Sequence, residues 1–409
     1  IKINLKHHPF LLKIYLAMQK VDDKKIVFRG SWNMGYTCNL KYICEKLLEN
    51  KIDCEIVFLV TNPKMISKEI FADTGAAHRF DETDNEGEGK KCKIRFGTIG
   101  TPLSFAELSS AKVIISNTYL YTEIDKGWRK KKNQYYIQTW HGSLGIKRLQ
   151  SNLLKIKKRD YKIKQLETSY TDCLLSNSDF ESAVFKQEWN YEGNLLLSGH
   201  PRNDIFFETE ERKKRIKKEV YSRFQLESNV NLVLYAPTFR DDKRFDNYDL
   251  DVEGLLSALK SKFGGEWILA IRIHPNLLNY ANYIFNFGRK VLNVSYYGDM
   301  QELLSVSDVL ITDYSSCIFD FMLSKKPGFI FATDIDKYND ERSFYYKLED
   351  TPFPIAQNNG ELAENIKNFD GNKYKAEIDL FLKGKGCIED GKAAERIVEL
   401  IKNVLDNKI

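Results

Sequence analysis

The feature that most constrains this chain is its alternation of short β-branched and aromatic runs with helical patterns. Strands are expected at 25–29, 55–60, 112–116, 134–139, 172–176 and 194–198 in the first half. The second half offers 231–236, 267–273, 308–312 and 328–331. Between the first two lies a helix over 39–50, where Leu40, Ile43, Cys44, Leu47 and Leu48 follow the 3.6-residue period. Strands separated by helices rather than tight turns imply parallel sheets covered on both faces, an α/β fold. A chain of 409 residues exceeds what one core usually supports, about 250–300 residues, so two domains are expected. The junction falls near 199–204, before the charged stretch 208–219, which reads as a solvated helix. This gives domains at 1–200 and 201–390. A closing helix at 391–409 carries Ala394, Ile397, Val398, Leu400, Ile401 and Val404 on one face. The acidic, glycine-containing stretch 81–91 is expected to be a mobile surface loop.

Composition excludes several classes. Hydrophobic residues at 43% and charged residues at 29% fit a folded, soluble body. With 62 basic and 57 acidic side chains, the net charge of +5 is too near balance for a nucleic-acid binder, so the placement of basic clusters matters more. Cys38, Cys44, Cys54, Cys92, Cys173, Cys317 and Cys387 are dispersed, with no Cys-x-x-Cys pair. Neither zinc nor a disulfide framework is expected, and reduced thiols point to the cytoplasmic side. No signal peptide and no apolar run near the roughly 20 residues of a membrane span is evident. The sequence begins at Ile1 rather than Met, which leaves room for a preceding segment.

Several strand ends carry chemistry. In Gln138-Thr139-Trp140-His141-Gly142-Ser143-Leu144-Gly145 a strand ends at Thr139, so His141 sits at the carboxyl edge of a parallel sheet, where α/β proteins bind ligands. Gly142 lets backbone approach a ligand closely. Imidazole is the usual general base for an alcohol at neutral pH; the alternative is a His satisfied in a turn. Ile271-Arg272-Ile273-His274-Pro275 repeats the arrangement in the second half, with Pro275 stopping the strand. In Thr312-Asp313-Tyr314-Ser315-Ser316 two hydroxyls stand where a helix begins, a setting that favours capping and phosphate binding. Arg202 in Gly199-His200-Pro201-Arg202-Asn203-Asp204 and Arg240 in Tyr235-Ala236-Pro237-Thr238-Phe239-Arg240 follow strands, where a guanidinium can clamp phosphate or simply be solvated. The basic, amphipathic stretch 147–164 fits either an anionic membrane surface or a solvated face.

Taken in order, these motifs resemble the CDP-glycerol glycerophosphotransferase family, the teichoic-acid and capsule primases and polymerases. The resemblance covers about 25–405 and includes Phe319-Asp320, Phe344-Tyr345-Tyr346 with Glu349-Asp350, and Asp390-Gly391-Lys392-Ala393-Ala394. One departure is Thr351-Pro352-Phe353-Pro354, where family members often carry Pro-Gly-Pro.

The resemblance implies a GT-B architecture: two Rossmann-like domains with an interdomain cleft, the donor held mainly by the C-terminal one. It implies His141 as general base and His274 as a second essential His near the donor diphosphate. Ser315, Ser316, Arg240 and Arg202 would contact donor phosphates, and Asp313, Asp320 and Gly142 would help to bind the donor. The donor is CDP-glycerol or CDP-ribitol, with CMP released. The acceptor is a hydroxyl of a lipid-linked saccharide or growing polymer, reached at the cytoplasmic face of the membrane by a peripheral protein. No tightly bound cofactor or metal is expected. A GT-B glycosyltransferase using a nucleotide-sugar is the nearest alternative, and a non-catalytic polymer-binding protein a more distant one.

Overall fold

The computed structural model describes residues 8–30, 35–62, 93–145, 148, 157–238, 249–273, 285–335 and 344–409. The chain divides into two compact units. The first comprises Ile1–His141, Asn152–Asp204 and Ile388–Ile409; the second comprises Gly142–Ser151 and Ile205–Cys387. The stretches 81–91 and 149–156, with Lys147, Arg240 and His274, lie outside the described residues.

The first unit holds β1 (Asp22–Arg29), β2 (Glu55–Val60), β3 (Lys93–Thr98), β4 (Ala111–Ser116), β5 (Tyr135–Gln138), β6 (Cys173–Ser176) and β7 (Asn194–Leu197). They form one parallel sheet in the order β3-β2-β1-β4-β5-β6-β7. Side chains alternate across it because successive Cβ atoms point to opposite faces. Ile26, Phe28, Ile56, Phe58, Val113 and Ile115 pack on one side, and Val27, Val57, Leu59 and Ile114 on the other. The first side is covered by helix Cys38–Glu49 through Leu40, Ile43 and Leu47, and by helix Ala393–Leu405 through Ile397, Val398, Ile401 and Val404. Each such buried aliphatic side chain contributes about 1.5–3 kcal/mol. The end of the chain therefore completes the core of its beginning.

The second unit repeats the design. β8 (Asn231–Ala236), β9 (Trp267–Ile271), β10 (Val291–Asn293), β11 (Val309–Thr312), β12 (Gly328–Phe331) and β13 (Ile355–Ala356) form a parallel sheet in the order β10-β9-β8-β11-β12-β13. Val233, Tyr235, Leu269, Ile271, Val309 and Ile311 pack with Leu255 and Leu259 of helix Val252–Phe263 and with Leu362 and Ile366 of helix Asn359–Lys367. Both units are thus doubly wound and Rossmann-like, as the α/β expectation requires. In each, strand order reverses at one point, between β1 and β4 or between β8 and β11, and such switch points mark ligand-binding edges.

Every expected strand is present, and the three that patterning missed are β3, β10 and β13. All three are sheet edges. An edge strand is covered on fewer sides, so β3 alternates exposed with half-buried residues and β13 needs only two residues. The charged helix forms at Glu210–Arg223, yet it buries Ile216, Val220 and Tyr221, so one face packs. Among the described residues no helix is long and apolar enough to cross a membrane.

Candidate functional site

His141 owes its setting to β4 and β5. Their pairing continues past the strands, Thr139 N–H donating to the Ser116 carbonyl at 2.8 Å. The chain then turns sharply, because Trp140 adopts φ +52°, a left-handed conformation that costs a non-glycine residue of order 1–2 kcal/mol. Both polar groups of Trp140 are fastened by buried side chains. Its N–H donates to Gln138 Oε1 at 2.9 Å, and its carbonyl accepts from Asn39 Nδ2 at 3.1 Å. Gln138 is braced in turn, donating to the Tyr136 hydroxyl at 2.9 Å, and Tyr136 donates to Glu167 at 2.8 Å. The Trp140 indole lies 4.3 Å from the imidazole and meets Tyr119 and Trp189 edge-on.

The imidazole itself is reachable by solvent, and its Nδ1 stands 2.7 Å from the Asn117 carbonyl. A carbonyl only accepts, so in the neutral ring Nδ1 carries the hydrogen and Nε2 keeps its lone pair. Though the residue is exposed, desolvation by the neighbouring protein holds the His141 pKa below its usual value of 6.5. The Arg202 guanidinium adds to that effect, and the Asn117 carbonyl opposes it. This favours the neutral ring, with one nitrogen oriented to take a proton.

Arg202 lies in the first unit, in the 3₁₀ turn Pro201–Phe207, and is 2% exposed. Its N–H donates to Asn39 Oδ1 at 3.1 Å. The rest of that motif binds the C-terminal helix. Asp204 accepts from Ala393 and Ala394 N–H at 3.0 and 2.8 Å, while Glu389 accepts from Asn177, His200 and Asn203. Burial, with the Glu389 and Asp390 charges, pushes the Asp204 pKa up to about 7 against those two hydrogen bonds. Gly199 adopts φ +80°, a conformation that L side chains rarely take, so glycine is favoured here.

Gly142 opens the segment that belongs by its contacts to the second unit. There the Leu144 carbonyl accepts from the Tyr346 hydroxyl, and Gly145 runs beside Ser316. Ser315 and Ser316, both half-buried, follow β11 and precede the short helix Cys317–Phe321. Capping does not account for Ser316, whose side chain makes no cap bond, and Ser315 Oγ accepts from Cys317 N–H only at 3.4 Å. Asp313 is occupied: its carboxylate accepts from Thr238 N–H at 2.9 Å and Tyr314 N–H at 2.6 Å, tying the loop after β8 to that after β11. Asp320 is 4% exposed and accepts from Gln301 Nε2 at 3.2 Å. Just before His274, Ile273 N–H donates to Ser295 Oγ at 3.0 Å and Arg272 Nη1 to the Tyr297 carbonyl at 2.7 Å.

Residues 11–403 match the family model for CDP-Glycerol:Poly(glycerophosphate) glycerophosphotransferase. The chain belongs to this family. It is 31% identical to the teichoic acid poly(glycerol phosphate) polymerase of Staphylococcus epidermidis over 93% of its own length and 51% of that protein's. It is 30% identical to the teichoic acid glycerol-phosphate transferase of Staphylococcus aureus over 95% of each. The chain thus spans about half the length of some glycerophosphotransferase relatives and nearly all of others. The solved wall teichoic acid polymerase TagF is 28% identical, with a TM-score of 0.77 over 99% of this chain and 95% of that one. A UDP-N-acetylglucosamine 2-epimerase from Listeria monocytogenes, 12% identical with a TM-score of 0.51, shares the fold alone.

Strand ends pointed to His141, Ser315 and Ser316 as candidates, and the structure places each of them after a strand. Asn39, Asn117 and Gln138 were not singled out, although they fix the His141 turn. Their signal was a polar side chain closing an otherwise apolar strand, as in Val113-Ile114-Ile115-Ser116-Asn117 and Tyr135-Tyr136-Ile137-Gln138, or standing in the first turn of helix Cys38–Glu49, as Asn39 does.

Proposed function

We propose that this chain transfers glycerol phosphate from CDP-glycerol to a hydroxyl of a lipid-linked saccharide or growing polymer, in teichoic acid or capsule synthesis. The observation that carries the reading is the His141 imidazole, neutral, with Nδ1–H on the Asn117 carbonyl and the Nε2 lone pair available. Nε2 takes the acceptor's hydroxyl proton as the oxygen attacks the phosphorus bearing the polyol. The bond from that phosphorus to the CMP phosphate oxygen breaks, and CMP leaves with the electron pair. Such a transfer depends on positioning and on neutralising charge. In this reading Ser315 and Ser316 donate to donor phosphate oxygens, His274, Arg240 and Arg202 offset their charge, and Gly142 lets backbone pass close to the donor. Asp313 and Asp320 act by holding the donor loops. The donor reading draws on the family and on TagF solved with CDPG.

Incubation with CDP-glycerol, CDP-ribitol or a UDP-sugar tests it. Acceptor-dependent CMP from CDP-glycerol is expected, lost by at least about a thousandfold in His141→Ala while the thermal transition is retained. Turnover of the UDP-sugar without CMP from either CDP-polyol would sink the reading; preference for CDP-ribitol would change the donor and keep the chemistry.

The same proposal places the chain peripherally on the anionic cytoplasmic face of the membrane. Phe10, Ile14 and Met18 of helix Pro9–Met18 recur every fourth residue and are 72%, 43% and 74% exposed, an unusual apolar stripe. Exposed Lys158 and Lys162 of helix Lys158–Tyr170 add charge, whereas Arg159 is paired with Asp125 and Lys164 lies over the Tyr119 ring.

A further inference from the structure

Asn39 is fully buried in the first unit, yet none of its side-chain hydrogen bonds described above serves its own helix. Nδ2 donates to the Thr139 carbonyl at 3.2 Å and the Trp140 carbonyl at 3.1 Å, and Oδ1 accepts from Arg202 N–H at 3.1 Å. One side chain therefore joins the two residues that precede His141 to the turn that carries Arg202. Two strained residues flank these bonds: Cys38, immediately before Asn39, at φ +59°, and Trp140 at φ +52°. Left-handed backbone at non-glycine positions persists only where its surroundings over-determine it.

We propose that Asn39 is the positioning residue of this active site, holding Trp140 in its left-handed turn so that His141 presents Nε2 to the acceptor while Nδ1 stays on the Asn117 carbonyl. The inference rests on the reading of His141 as general base. Its chemistry is specific to a carboxamide. The amide NH₂ has two hydrogens for two carbonyls, and the amide oxygen serves the third partner, so all the polar capacity used faces outward from helix Cys38–Glu49. Aspartate keeps the acceptor for Arg202 but offers lone pairs to two carbonyls. Alanine removes all three bonds and leaves buried carbonyls without that donor. Without the carboxamide, Trp140 relaxes toward ordinary φ, the turn opens and the imidazole leaves Asn117.

The test compares Asn39→Ala and Asn39→Asp with the wild-type chain, following donor kinetics, thermal unfolding and the ¹⁵N signals of the His141 ring. In both variants kcat is expected to fall about a hundredfold, the scale of an ångström of misplacement, while KM for CDP-glycerol stays within about threefold. The His141 ring, held as the Nδ1–H tautomer in the wild type, is expected to become a tautomer mixture in both. Folded variants with wild-type kcat and unchanged ring signals would overturn the proposal. So would loss of the fold in both, which assigns Asn39 to stability alone. If the wild-type chain makes no CMP from CDP-glycerol, the donor reading fails, but the ring signals still decide whether Asn39 positions His141.

Discussion

A histidine that takes a proton from an alcohol must be neutral at working pH and have one nitrogen committed elsewhere. His141 meets the first condition through desolvation and the neighbouring Arg202 charge, and the second through Asn117. The sign of the resulting pH dependence follows. Protonated imidazole is inactive, so the rate should rise with pH through the folded-state pKa and then level. Because that pKa lies below 6.5 in the free protein, the acid limb of the kcat/KM profile should have its midpoint below 6.5. Arg202→Met removes a repelling charge and should move the midpoint upward; a midpoint unchanged in this variant would mean that desolvation alone sets it. At this scale the sequence offered His141 as a candidate base and hid the residues that support it. A His at a strand end stands out as a candidate, whereas Asn39 looks like ordinary polarity until its partners at Thr139, Trp140 and Arg202, far away in sequence, are known.

Among the elements, the interior strands were legible because a parallel sheet covered on both faces demands continuous apolar runs such as Glu55–Val60 and Asn231–Ala236. Edge strands escape that demand. β10 has three half-buried residues and no fully buried one. The C-terminal helix was equally legible as amphipathic, but its pattern named no partner. The structure gives it one: Ile397, Val398, Ile401 and Val404 pack with Leu40, Ile43 and Leu47, and Asp204 holds its first N–H groups. Ile401 is fully buried there. Ile401→Ala should therefore cost about 2–5 kcal/mol, read as a lowered denaturant midpoint of the intact chain. A loss under about 0.5 kcal/mol, the size of an ordinary surface change, would mean that the helix is only loosely attached.

For the molecule as a whole, the proposed membrane contact would be made by the first unit, through the apolar stripe on helix Pro9–Met18 and the lysines of helix Lys158–Tyr170. Phe10→Glu combined with Ile14→Glu should weaken binding to vesicles containing anionic lipid by at least about tenfold, since two inserted side chains are replaced by charges that the surface repels. Lys158→Gln with Lys162→Gln should weaken it less, and the difference should shrink in high salt. Equal binding by all these proteins in a sedimentation assay would mean that neither helix makes the contact, and no binding by the unaltered chain would detach it from the membrane. The first unit has a further peculiarity, in that its last piece, Ile388–Ile409, is made after the whole of the second. A ribosome adding about 5–20 residues each second needs roughly ten to forty seconds to cross from Asp204 to Ile388. During that wait the face of the nascent first sheet that helix Cys38–Glu49 covers lacks the rest of its packing, Ile397, Val398, Ile401 and Val404 of the C-terminal helix. The core of the first unit is therefore completed by residues made after the whole of the second, so its full packing cannot form until then.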